Sequence, residues 1–253
     1  MSSLIPRRAL LGGAAASLLV PATARAYTPP RIALPGDLEQ APGATITAIR
    51  TPSPVVAMTF DDGPHPRLTP PLLDALKARG IRATFYVIGR NVARHPQLAQ
   101  RIVAEGHEIG NHTWSHSFLT ERSDQAVVRE LDSTSAAIFE AVGKVPVTMR
   151  PPYGAMHARQ RAMVNANRNT PAILWSVDPQ DWRRPGANVV ANRIVRDAHK
   201  GAIILAHDIH PGTIRAMPYA LDGLVARGFR FVTVSQMLGW PDWSERRFRL
   251  GTA

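Results

Sequence analysis

From residue 55 onward the chain alternates short apolar runs with stretches of helical periodicity, mostly punctuated by glycine. Val55–Phe60 is a compact apolar run that predicts a strand. Leu68–Arg79 has apolar residues at helical spacing and stops at Gly80, a residue suited to a C-terminal cap. The pattern then repeats. Strands are predicted over Ala83–Val87, Glu108–Asn111, Val147–Arg150, Ala172–Ser176, Ala202–Ala206 and Arg230–Val234. Helices are predicted over Gln97–Glu105, Ser123–Val142, Ala158–Asn167, Asn188–His199 and Ile214–Arg227, with Pro218 expected to kink the last one. Tyr27–Pro54 is rich in Pro, Gly, Ala and Thr, lacks sustained periodicity, and reads as an extended arm or linker.

Alternation of this kind implies parallel strands joined by right-handed crossovers, and strands this apolar imply burial on both faces. The expected fold is α/β: a distorted, incomplete (β/α) barrel with about seven parallel strands, an open doubly wound sheet being the alternative. No Gly-x-Gly-x-x-Gly follows the first strand and no P-loop sequence occurs, which removes support for nucleotide folds. The expected organisation is a leader over 1–26, an arm over 27–54, one domain over 55–240 and a tail over 241–253. Trp240 and Trp243 are expected to pack against the barrel.

The leader reading rests on the Arg7-Arg8 pair, a short apolar run over Ala9–Val20 and the small-x-small site Ala24-Arg25-Ala26. It resembles an export signal of twin-arginine type. The run is shorter than the roughly 20 apolar residues a membrane span needs, so no stable span is expected after cleavage. The implied location is the periplasm or the exterior. Of the formal net charge of +11, three units belong to the leader, leaving +8 for the mature chain. Such a charge favours an anionic polymer, although a generally arginine-rich composition explains it equally well. No Lys/Arg run is interleaved with aromatics, so nucleic acid is not expected as a partner, and no protein partner is evident. The chain has no cysteine, which excludes disulfides, thiolate nucleophiles and Cys-ligated zinc. Any metal must be held by His and carboxylates.

Polar clusters fall at the ends of the predicted strands, where α/β barrels build active sites. In Thr59-Phe60-Asp61-Asp62-Gly63-Pro64, two adjacent carboxylates repel each other unless a cation or a shared proton relieves them. The alternative is a surface turn. In His112-Thr113-Trp114-Ser115-His116, two histidines four apart are expected to face the same side of one helical turn and chelate one ion. In Arg150-Pro151-Pro152-Tyr153-Gly154, the prolines remove two backbone donors, so Tyr153 offers the first free N–H. Arg150 suits a carboxylate held by paired hydrogen bonds, or a structural salt bridge. Trp175 to Trp182 supplies two Trp and two Asp, and Ile203 to Asp208 ends in a histidine whose pKa range suits a general acid. Asn111 and Thr113 are candidate supports for the histidine pair, and His210 is a candidate for the mouth of the site. His95, His107, His157 and His199 read as surface or loop residues, and His65 as a loop residue just after the turn.

These five clusters, in this order over Val55 to Leu238, resemble the five motifs of the polysaccharide deacetylase family (the NodB homology domain, carbohydrate esterase family 4), whose fold is a distorted (β/α) barrel. The resemblance implies a metal-dependent hydrolase that removes acetyl groups from an N-acetylated or O-acetylated polysaccharide, most simply an N-acetylglucosamine polymer such as peptidoglycan or chitin oligomers. It implies Asp61 as catalytic base, Asp62, His112 and His116 as metal ligands, and Arg150 as the residue that orients the base. It implies Tyr153 as oxyanion donor through its N–H, Asp181 as partner of the catalytic histidine, and Trp182 as a groove wall. Leu205 matches the acetyl-methyl pocket and His207 the general acid. The implied cofactor is a divalent metal, Zn²⁺ first, with Co²⁺ or another divalent ion possible. Ile203 stands where leucine is usual, an apolar swap. The competing readings are a metal-dependent amidase acting on a small amide and a non-catalytic carbohydrate-binding module on the same fold.

Overall fold

The computed structural model describes residues 44–168, 170–240 and 243. The leader, most of the arm and all of the tail except Trp243 lie outside the described residues. The core strand is β2 (Val55–Asp61), of which all but the first residue are buried. It pairs in parallel with β3 (Thr84–Val87) on one side and with β6 (Ala202–His207) on the other. β3 pairs in turn with β4 (Glu108–Asn111), and β7 (Arg230–Phe231) pairs with Val55 and Val56 at the start of β2. Single parallel bridges continue the wall from Asn111 to Met149 and from Met149 to Ala172, which begins β5 (Ala172–Ile173). A last parallel bridge from Val177 to Ile204 returns to β6. The result is a distorted (β/α) barrel in which full ladders make up one half and isolated bridges the other.

The helices lie between the strands: α1 (Thr69–Lys77), α2 (Gly89–Arg94), α3 (Pro96–Ala104), α4 (Asp124–Val142), α5 (Ala158–Arg168), α6 (Ala187–Asp197), α7 (Pro211–Ala226) and α8 (Val234–Met237). Their ends follow the local chemistry. Ser123 caps α4 by accepting the N–H of Ala126, and Gly143 closes that helix in the left-handed conformation. Pro218 lies inside α7. Buried aliphatic faces of α1, α3, α6 and α7 pack on the strands in one continuous core, which also takes in Trp240 and Trp243. No helix among the described residues is long and apolar enough to cross a membrane.

Several expectations change. Val147–Arg150 forms no ladder and contributes only the Met149 bridges; Ala172–Ser176 shrinks to β5 plus the Val177 bridge; and the end of Arg230–Val234 turns into α8. In each case the chain stays extended or buried without a neighbour in register, which an apolar run cannot reveal. Part of the segment read as an arm belongs to the barrel. β1 (Thr45–Ile46) pairs in parallel with β5, and Ala48 bridges Ala202. There the Ile49 N–H donates to the Gly201 carbonyl at 2.9 Å, and a Cβ on Gly201 (φ +75°) would fall 1.8 Å from the Ile49 oxygen, so only glycine fits. The short helix α2 was not expected. His107 is buried rather than exposed: its Nδ1 accepts the Ala83 N–H at 3.1 Å, and burial lowers its pKa to about 4, so the ring is neutral.

At the N-terminal end of the barrel, the buried Glu108 joins β4 to β3 and to α8. Its carboxylate accepts the Thr84 hydroxyl, the Ser235 N–H and the Ser235 hydroxyl at 3.1, 2.9 and 2.7 Å. Ser235→Ala removes one donor from a carboxylate that burial already pushes toward a higher pKa. The expected loss is about 1–3 kcal/mol of unfolding free energy in urea titration.

Candidate active site

The candidate residues meet at the C-terminal ends of the strands. Asp61 ends β2 and His207 ends β6, and the two are register partners in the parallel pair. Asp62 follows Asp61 directly, in a turn where Gly63 is required for space. A Cβ there would lie 2.3–2.7 Å from the carboxylate of Asp208. Asp208 is buried, accepts the Thr69 hydroxyl, and donates its N–H to the Asp61 carbonyl at 3.3 Å. It was not singled out in the sequence, where it reads as the residue after a histidine.

His112 and His116 reach Asp62 from the loop after β4. Their Nε2 atoms lie 3.4 and 3.1 Å from Asp62 Oδ1. The helical turn expected for this pair is absent: Thr113 and His116 both have positive φ, of 65° and 61°, and the segment is a loop. Asn111 shapes it by accepting the Thr113 N–H, and the Thr113 hydroxyl accepts the His116 N–H. His112 Nδ1 lies 2.7 Å from the Arg150 carbonyl, so that nitrogen donates and Nε2 is left as the lone-pair atom facing Asp62. Asp62 Oδ1 is buried yet lacks a well-aligned hydrogen-bond donor. Burial alone would raise the Asp62 carboxyl, but the two imidazoles hold it well below the usual carboxylate range. One acceptor oxygen and two imidazole nitrogens within 4.8 Å of one another fit a divalent cation by donor type and by the unmet oxygen.

Arg150 lies beneath this cluster with no exposed surface. It donates from Nη1 to Asp61 Oδ1 and Thr59 Oγ1 at 2.7 Å each, from Nε to the Ile173 carbonyl at 3.1 Å, and from Nη2 to the Leu174 carbonyl at 3.0 Å. The expected paired grip on one carboxylate is thus replaced by a fan: a single bond to Asp61 and three to the barrel wall. Asp61 Oδ2 lies 3.7 Å from His112 Nε2.

On the opposite side, Asp181 holds His207. Asp181 Oδ1 lies 2.8 Å from His207 Nδ1, and Oδ2 accepts the His207 N–H at 2.8 Å and the Thr213 hydroxyl at 2.7 Å. Burial opposes a charged His207, but the Asp181 contact, aided by Asp61 and Asp62, raises its pKa to about 9. The ring is therefore protonated at neutral pH. Tyr153 has φ 60° and its N–H makes no hydrogen bond among the described residues, while those of Gly154 and Ala155 are used. Its ring is exposed, contacts His116 edge-on and stacks on Phe118 at 3.9 Å. Phe118, another exposed aromatic, also escaped the sequence reading. Trp182 is half exposed, with Arg183 over its ring, and Leu205 is buried opposite Thr59 in the β2–β6 register. The His207 and His210 rings are 5.7 Å apart.

Among the described residues, all six non-glycine positions with positive φ, Asp62, Thr113, His116, Tyr153, Gln180 and Arg184, lie in these loops. Such conformations cost about 1–3 kcal/mol each and collect where function fixes them.

The polysaccharide deacetylase family pattern matches residues 48–171. A chitooligosaccharide deacetylase from Bradyrhizobium is 38% identical over 197 residues, covering 72% of this chain and 90% of that protein. The chain belongs to the polysaccharide deacetylase family. A peptidoglycan-N-acetylglucosamine deacetylase from Listeria monocytogenes is 41% identical over 184 residues, covering 73% of this chain and 39% of the relative. The chain thus spans about two fifths of that relative's length. The structure of the peptidoglycan deacetylase PdaC from Bacillus subtilis superposes with a TM-score of 0.70 at 35% identity, covering 75% of this chain and 92% of that one.

Asp181→Asn tests the coupling directly. With the carboxylate gone and burial unchanged, the His207 titration midpoint, followed by histidine NMR, should fall from about 9 to below the ordinary value of about 6.5. The raised pKa also stabilises the fold. That contribution is complete below pH about 6.5 and is lost as pH rises through about 9, and the variant should lack it.

Proposed function

We propose that this family member hydrolyses the N-acetyl groups of an N-acetylglucosamine polymer outside the cytoplasm, with peptidoglycan ahead of chitin oligomers. The observation that carries the reading is the pairing of the Asp61 carboxylate and the Asp181-bonded His207 imidazole on register-matched ends of two adjacent strands, beside a metal-type donor set. The extracytoplasmic location is supported by the export-like leader and by relatives named for peptidoglycan deacetylation.

Asp62, His112 and His116 would hold the cation, which we take to be Zn²⁺ from its borderline preference for two imidazoles and one carboxylate. When bound, the cation supplies Lewis acidity toward the acetyl carbonyl oxygen and toward water. Asp61, fixed by Arg150, accepts a proton from the attacking water as its oxygen bonds to the carbonyl carbon. The free Tyr153 N–H is available to the negative oxygen of the tetrahedral state. His207, charged and aligned by Asp181, donates its proton to the departing nitrogen as the C–N bond breaks, giving acetate and a free amine. Phe118, Tyr153 and Trp182 offer exposed aromatic surface to sugar rings, and Leu205 is our choice for the floor beneath the acetyl methyl.

Acetate release from chitin oligomers and peptidoglycan should vanish on chelation and return with Zn²⁺. Asp62→Ala should lower metal affinity and turnover by more than about 100-fold, beyond the loss typical of an outer partner of a ligand. His207→Ala should cost about 10²–10⁴-fold on an acetamide and markedly less on an activated aryl acetate, whose leaving group needs no proton. Equal loss on both substrates would overturn the assignment of His207.

A further inference from the structure

Beside the Asp181–His207 pair lies a separate hollow of about 380 Å³, bounded by the Arg184–Gly186 turn before α6 and by Ile209–Thr213 and Arg215 at the start of α7. The volume suits one sugar-sized group. It shares Asp181 with the candidate active site, and His210 in its wall lies 5.7 Å, ring to ring, from His207. A polymer whose acetamide is at His207 therefore brings a neighbouring sugar within reach of the hollow.

The charge of this hollow is one-sided. Arg184 and Arg215 are exposed at its rim, and neither guanidinium has a hydrogen bond or ion pair among the described residues. Asp181 is the one carboxylate among the lining residues, and both its oxygens are already committed to His207 and Thr213. Burial, with help from the nearby His207 and Arg184 cations, holds the pKa of His210 down, so that ring adds a polar edge rather than charge. Arg184 is kept at the rim by a left-handed turn (φ 55°) closed by its N–H on the Asp181 carbonyl at 2.8 Å. The N-terminal ends of α6 and α7, neither with a side-chain cap, add unpaired backbone donors at the same wall.

We propose that this hollow is a subsite for a carboxylate on the sugar next to the one deacetylated, so that the enzyme selects acidic glycans over neutral ones. The proposal rests on the deacetylase reading and names its substrate class. Two unpaired guanidiniums match a carboxylate by charge and by fork geometry, and a neutral sugar in the same place leaves them with water.

The test uses the full chain loaded with Zn²⁺ and three tetrasaccharides: a chitin tetramer, a tetramer alternating N-acetylglucosamine with its 3-O-lactyl ether, and the methyl ester of the latter. Wild type should favour the free acid over the ester by at least about tenfold in kcat/KM, the scale of one charge-assisted hydrogen bond. Arg184→Gln/Arg215→Gln should erase that preference while changing chitin turnover by less than about threefold. Calorimetric affinity for the acid should fall in parallel and lose its salt dependence. Acid and ester treated alike by wild type, or equal loss on chitin and acid in the double variant, would overturn the subsite. Wild type releasing no acetate from any tetramer would overturn the functional reading instead. In that case calorimetry still decides the subsite: a preference for acid over ester that the double variant loses supports it, and equal affinities sink it.

Discussion

A guanidinium with no access to water is expensive unless its donors find acceptors, and Arg150 directs four hydrogen bonds to one carboxylate, one hydroxyl and two carbonyls. These partners come from two separate parts of the barrel wall. Asp61 and Thr59 come from β2, and Ile173 and Leu174 come from the end of β5 and the residue after it. The carbonyl of Arg150 fixes the tautomer of His112 at 2.7 Å. One residue therefore holds the Asp61 carboxylate, selects which nitrogen of His112 faces Asp62, and ties the laddered half of the barrel to the bridged half. Loss of the side chain would leave the buried Asp61 carboxylate without its guanidinium partner.

The loops above this anchor carry conformational strain, and the barrel below them absorbs it. Asp62, Thr113, His116 and Tyr153 adopt left-handed conformations in the loops that carry the Asp62 carboxylate, the two imidazoles and the Tyr153 N–H. The tight turn at Asp62 works because Gly63 leaves room for the buried Asp208 carboxylate, and Asp208 in turn follows His207 on β6. The His207 end of β6 and the Asp62–Gly63 turn are thus packed against each other through Asp208.

Electrostatically the site is split. On one side Asp61 and Asp62 are compensated by Arg150 and the imidazoles. On the other, Asp181 pairs with His207, while Arg184 and Arg215 stand beyond it with no hydrogen bond or ion pair among the described residues. A substrate spanning the two halves would meet a metal-type donor set at its acetamide and positive charge beside it.

The barrel class and most of the alternating strands and helices were legible in the sequence, as were the residues that meet at the strand ends. Strand periodicity, glycine stops and the five polar clusters at strand ends are local signals, set by residues close in the chain. What it did not determine were features that depend on partners far away. Thr45–Ile46 becomes a strand only because β5 offers an edge, and Val147–Arg150 fails to become one because only Met149 finds neighbours in register. The histidine pair looked helical by spacing, yet Asn111 and Thr113 bend it into a loop. Arg150 looked like a bidentate clamp, yet three other acceptors claim its donors. Phe118, Thr213, Asp208 and the Arg184–Arg215 hollow carry no motif of their own. Their meaning comes from contacts across the fold, because hydrogen-bond satisfaction and charge balance are settled by whatever tertiary packing brings within a few ångströms.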